Sequence, residues 1–134
     1  MEGRPVVPGE AEGEALVTDQ PLSFWGGYDF ATGTIIDQHH PLAGVSAAGR
    51  ILVVPFSKGS STTTAVLLEA VRAGTAPAAI VTTSVDSFFA LASIVADVMY
   101  GRSFPVVVID AAQAARLTTG MRLGIRRGGQ IQAL

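Results

Sequence analysis

The sequence predicts a single α/β domain in which helices cover a central sheet and extended segments at both ends form a further layer. Its length of 134 residues matches one domain, since domains commonly run roughly 100–200 residues. Two strand-length runs, residues 51–56 and 104–109, are continuously apolar, as strands buried on both faces are. Between and around them the apolar spacing switches from strand to helix and back, reading β-loop-α-β-α-β-α.

Residues 1–12 are rich in Gly, Glu and Pro and read as a flexible arm, with the domain proper at 13–134. Residues 14–18 form a short strand candidate, followed by a polar-aromatic loop at 21–29. A second short strand is expected at 33–37, and His39-His40-Pro41-Leu42 leads into another loop. The run at 51–56 should stop pairing near Pro55, which has no N–H for the ladder. A helix is then expected over 61–73, with Thr64, Leu67, Leu68 and Val71 as its core stripe and Gly74 at the left-handed position that ends it. The next strand is read at 78–82. Asp86 is the expected N-cap of a helix carrying Phe89, Ala92, Ile94, Val95 and Val98. A strand at 104–110 and a short helix at 111–117 follow. The chain closes with a hairpin, 121–126 against 130–134, turned at Gly128-Gly129.

Composition narrows the function classes. Net charge is −2 with no basic tract, so nucleic acid is not an expected partner. No apolar run approaches the roughly 18–20 residues of a membrane span, and no apolar stretch follows the N-terminal charges as in a signal peptide. A cytoplasmic location is the expectation. Cysteine is absent, which removes disulfides, thiolate metal sites, a cysteine nucleophile and self-supplied iron–sulfur ligation. Only 15% of residues are charged, against about 25% usually, and 49% are hydrophobic. Either a partner covers part of this apolar surface, or the chain is a compact monomer rich in Ala and Gly.

The stretch richest in chemistry is Lys58-Gly59-Ser60-Ser61-Thr62-Thr63-Thr64. One Ser or Thr is enough to cap a helix, and a run of threonines is a poor way to start one. A Gly-Ser at a helix N-terminus gathers N–H donors, the positive dipole end and open access, which suit a carboxylate or phosphate. An ordinary Ser cap is the alternative. The segment follows a strand's carboxyl end, where open α/β sheets bind ligands. It lacks the spacing of a phosphate-binding Walker loop. Ser23, Phe24, Trp25, Gly26 and Gly27 form either a buried tight turn or a loop for docking and recognition. His39 and His40, adjacent on extended chain, point to opposite faces and are poorly placed to share a metal, so one packed and one solvent-facing ring is expected.

In order, Gly13-Glu14-Ala15-Leu16-Val17, Pro21-Leu22-Ser23-Phe24-Trp25-Gly26-Gly27, Thr32-Gly33-Thr34-Ile35-Ile36-Asp37, His40-Pro41-Leu42, Ala48-Gly49-Arg50-Ile51-Leu52-Val53, Lys58-Gly59-Ser60-Ser61 and Gly74-Thr75-Ala76-Pro77-Ala78-Ala79-Ile80-Val81 resemble the swivel domain of the aconitase X family. The resemblance implies a swivelling β/β/α domain that docks on a large catalytic subunit. That subunit would hold the iron–sulfur cluster or metal, and this chain would bind none itself. It implies a hydro-lyase acting on a β-hydroxy acid, inactive without its partner, with Ser60 as the base for the α-proton. Gly59, Ser61 and Lys58 would hold substrate oxygens, with Ser23, Phe24, Trp25, Gly26, Gly27 and His40 as interface or site loop. Ordinary aconitases follow the serines with an arginine; Thr62-Thr63 stands there in this chain. Sparse Lys and low charge are unlike hyperthermophile proteins, which favours a cis-3-hydroxy-L-proline dehydratase over a phosphomevalonate dehydratase. Two other classes stay open: a non-catalytic anion-binding or regulatory module, and a self-contained serine hydrolase with Ser60 as nucleophile and His39 or His40 as base.

Overall fold

The computed structural model describes residues 1–58 and 62–134. Its elements are β1 (Arg4–Val7), β2 (Ala11–Val17), β3 (Tyr28–Asp29), β4 (Thr34–Ile35), β5 (Ile51–Val53), α1 (Thr62–Ala73), β6 (Ala79–Thr82), α2 (Ser87–Tyr100), β7 (Val106–Val108), α3 (Ala111–Ala114), β8 (Arg122–Ile125) and β9 (Ile131–Ala133). This is the predicted α/β alternation. A seven-stranded sheet runs in the order β1-β7-β6-β5-β2-β8-β9, and β3 and β4 form a separate two-stranded ribbon.

The parallel centre of the sheet is β2, β5, β6 and β7, and the flanking pairs are antiparallel. Successive residues of a strand face opposite ways, and here both faces are covered. Leu16, Leu52, Ile80 and Val106 pack toward α1, α2 and the loop over 22–35. Ala15, Ile51, Val53, Ala79, Val81 and Val107 pack toward the terminal hairpin, with Leu117, Leu123, Ile125 and Ile131. Two apolar layers on one sheet explain why the central strands read as unbroken hydrophobic runs.

The N-terminal stretch departs from expectation. Residues 1–12, expected as a flexible arm, carry β1 and the beginning of β2, and β1 pairs antiparallel with β7. Before β1, Glu2 bridges Gln130, Gly3 N–H donates to Gly129 O at 3.0 Å, and Ile131 N–H donates to Met1 O at 2.9 Å. The sheet thus curls until its two edges meet. Gly and Pro hid the strand from sequence reading: Gly3 is needed because a Cβ there would lie 2.3 Å from Val107 Cγ1, and Pro5 sits on an edge strand, where a missing N–H is tolerated. Deleting residues 1–7 is therefore expected to lower Tm by about 10 °C, the equivalent of about 3 kcal/mol in a domain of this size. A shift under about 2 °C in a thermal melt would restore the arm.

α1 starts and stops as predicted, ending at Gly74 with φ +79°. Its buried face is Thr63, Thr64, Val66, Leu67, Ala70 and Val71, with Leu68 only partly covered. Asp86 caps α2, accepting from Phe88 N–H at 3.0 Å and Phe89 N–H at 3.1 Å. The sequence left the inward face of α2 open. Phe89, Ala92, Ser93 and Ala96 are buried, whereas Ile94 is exposed, Val98 is 81% exposed, and Val95 is half-buried. Small residues let α2 lie close on α1 and the sheet, and buried Ser93 spends its hydroxyl on Phe104 O. Nearly every position of α2 is apolar, so its sequence did not say which side faces in.

Candidate active site

The carboxyl end of β5 leads through Pro55 and Phe56 to Ser57 and Lys58, the last residues before Gly59, Ser60 and Ser61, which lie outside the described residues. α1 is described from Thr62 and has no acidic residue in its first turn, so no carboxylate of that turn offsets the positive end of its dipole. Ser57 is clamped from two sides. It bridges Leu22, whose carbonyl accepts from Lys58 N–H at 2.9 Å. Its own N–H and Oγ–H both donate to Asp86 Oδ2, each at 2.6 Å. Asp86 is 7% exposed and, among the described residues, its carboxylate accepts four hydrogen bonds, two from Ser57 and two from the α2 amides. Sequence reading found the cap and missed the link to Ser57, because nothing local in sequence connects positions 57 and 86.

The aromatic loop divides its labour. Phe24 is buried, with its ring 5.1 Å from that of Tyr28 and 5.4 Å edge-on from that of Phe89. Its neighbour Trp25 is 71% exposed, as a docking loop requires and a core tryptophan would not be. Ser23 Oγ donates to Trp25 O at 3.1 Å, Gly26 turns at φ +73°, and a Cβ on Gly27 would lie 2.0 Å from Ser23 O. Tyr28 closes the far side by donating to Thr75 O at 2.8 Å. Burial pushes its hydroxyl well above the ordinary phenol range, so it stays protonated.

Beside this loop, Asp19, Gln20, Pro21, Asp37, His39, His40, Pro41 and Lys58 line a groove of about 340 Å³. Lys58 and His39 are exposed, and His40 is 8% exposed, which is the expected split of the histidine pair. His40 Nδ1 accepts from Leu42 N–H at 3.0 Å, which places the ring proton on Nε2. That N–H is buried and has no hydrogen-bond partner among the described residues. Leaving a buried donor unpaired costs about 1–3 kcal/mol. With Nδ1 engaged, His40 has no free lone pair for a general base, which weighs against the self-contained hydrolase. The spacing of either histidine from Ser60 falls outside the described residues. Among the described residues no three His, Asp or Glu side chains form a metal-holding group, and the chain has no Cys. These residues do not fit an iron–sulfur cluster or a resident metal.

Comparison with known proteins places this arrangement. The sequence model of the aconitase X swivel domain matches residues 1–133. The chain belongs to the aconitase X swivel domain family. This swivel domain is 45% identical over 106 residues to a cis-3-hydroxy-L-proline dehydratase of Pseudomonas aeruginosa, covering 79% of the chain but only 18% of that relative. It is 33% identical to the phosphomevalonate dehydratase small subunit of Thermococcus kodakarensis, covering 100% of the chain and 96% of that subunit. The swivel domain therefore spans about one fifth of the hydroxyproline dehydratases it matches, and nearly all of the phosphomevalonate dehydratase small subunit. The holo-form crystal structure of Thermococcus kodakaraensis aconitase X superposes with a TM-score of 0.87 at 35% identity, over 99% of this chain and 96% of that one. No helix among the described residues is long and apolar enough to cross a membrane.

Proposed function

We propose that this swivel domain is the small subunit of an aconitase-X-type dehydratase, supplying Ser60 to a site completed by a large subunit. The observation that carries the reading is that Ser57, clamped by Asp86, and Lys58, exposed on the groove, precede the segment 59–61 in the chain, while α1 is described from Thr62 directly after it. Removing water from a β-hydroxy acid requires a base for the α-proton, an acid or electrophile for the departing hydroxyl, and an anchor for the carboxylate. Ser60 takes the α-proton, and the hydroxyl leaves from the neighbouring carbon with a second proton, so the net loss is one water. A serine hydroxyl is a weak base unless its ionised form is stabilised; the N-terminus of α1 and the Lys58 ammonium supply that positive potential. Gly59 and Ser61 hold substrate oxygens. Any cluster or metal belongs to the large subunit, since a chain without cysteine cannot supply thiolate ligands.

A substrate like cis-3-hydroxy-L-proline is preferred, supported by 45% identity over 106 residues to one such dehydratase, against 32–40% to phosphomevalonate dehydratase small subunits. The deciding experiment is co-expression with the large subunit, purification of the complex, and parallel assay on cis-3-hydroxy-L-proline and mevalonate 5-phosphate. Turnover of the first at least about tenfold faster in kcat/KM is the expected result. Preference for the second would move the subunit to the other branch, and a purified complex inert on both would favour the anion-binding module.

A further inference from the structure

Both described flanks of the segment 59–61 are tied to the first turn of α2. On the near side, Ser57 donates twice to Asp86 Oδ2. On the far side, Thr64 of α1 donates its hydroxyl to Phe88 O at 3.1 Å. The same carboxylate that holds Ser57 caps α2 through its other oxygen, Oδ1. A helix cap needs only one acceptor oxygen. The second oxygen of Asp86 instead fixes a residue far away in sequence, one position before Lys58. Asp86 and Ser57 are both buried, and Phe24 packs its ring against Phe89 in that turn, so the anchor is itself immobilised by the core. Two charge-assisted hydrogen bonds from one buried carboxylate resist displacement better than neutral ones.

We propose that Asp86 is a positioning residue: through Ser57 it sets where Lys58, the cation of the proposed site, sits relative to the described start of α1. This rests on the dehydratase reading. Its physical content is that α2 is the rigid rail against which both ends of the active segment are fixed, with Asp86 serving two strands of duty through two oxygens.

The two duties separate chemically. Asn caps helices about as well as Asp, but its amide offers one acceptor oxygen where the carboxylate offers two. In Asp86→Asn either the cap or the Ser57 clamp keeps an acceptor, and the capped orientation leaves two Ser57 donors facing an NH2. Ser57→Ala removes the Oγ–H bond alone and leaves the cap untouched, so it covers the case in which Asp86→Asn folds poorly. The test measures amide hydrogen exchange on the full chain, and kcat and KM on the complex with the large subunit, for both variants and for Ser60→Ala. In Asp86→Asn, exchange at Ser57 and Lys58 is expected to rise at least tenfold while α2 amides stay within twofold. For both variants kcat should fall about tenfold or more with KM within threefold. Equal loosening of α2, or a kcat within twofold of wild type in both variants, overturns the proposal. Retained turnover in Ser60→Ala would instead remove Ser60 as the base, and the exchange comparison would then decide the role of Asp86 by itself.

Discussion

Ser60→Ala in the assembled complex is expected to lower kcat by about 10²–10⁴, the usual contribution of a positioned acid–base group, with little change in assembly. A tenfold change corresponds to about 1.4 kcal/mol of barrier, so loss of the α-proton's acceptor should exceed 2.7 kcal/mol, or roughly 100-fold. Two buried groups nearby cannot take over. His40 has its only lone pair committed to Leu42 N–H, and Tyr28 is held protonated by burial. Steady-state kinetics on purified complexes would check this, and turnover within about tenfold of wild type would remove Ser60 as the base. Alanine cannot accept a proton, yet it preserves the short side chain, so a loss of rate without a loss of complex would isolate chemistry from packing.

Phe24→Ala and Trp25→Ala are expected to have opposite effects although the residues are adjacent. Phe24 is fully buried between Tyr28 and Phe89, and its truncation should cost about 3–5 kcal/mol, lowering Tm by more than 10 °C. It also anchors the turn of α2 that holds Ser57, so the site should loosen with it. Trp25 is largely solvent-exposed in the isolated chain, and its truncation should change stability by under about 0.5 kcal/mol. Its effect is expected in binding: exposed tryptophans at interfaces often contribute 2 kcal/mol or more, about thirtyfold in Kd for the large subunit. Calorimetric titration of large subunit with each variant separates the two. A Trp25→Ala variant that binds within twofold of wild type would take the loop out of the interface.

Some of this arrangement could be read directly. The β-α alternation, the paired-face burial of residues 51–53 and 106–108, the Asp86 cap and the Gly74 stop all rest on local rules, because each depends on neighbours within one turn or one strand. The relation of Phe24 to Trp25 was readable only as two alternatives. Aromatic residues beside paired glycines mark a tight turn, but a turn does not say which ring faces in. For α2, an almost uniformly apolar helix has no polar stripe to orient it, and packing of the small residues Ala92, Ser93 and Ala96 decided the buried side.

What the sequence determined by itself is the class of fold, the family and the position of the Lys58-Gly59-Ser60-Ser61 segment ahead of a helix, since periodicity, caps and ordered motifs are properties of contiguous residues. Tertiary structure alone decided the rest. The closure of the sheet through Met1, Glu2 and Gly3 against Gly129, Gln130 and Ile131 joins opposite ends of the chain. The grip of Asp86 on Ser57 spans 29 positions, and the unpaired N–H of His40 depends on what surrounds it in space. Hydrogen bonds between distant residues leave no periodic trace in a sequence, because either partner alone looks like an ordinary polar residue on a loop.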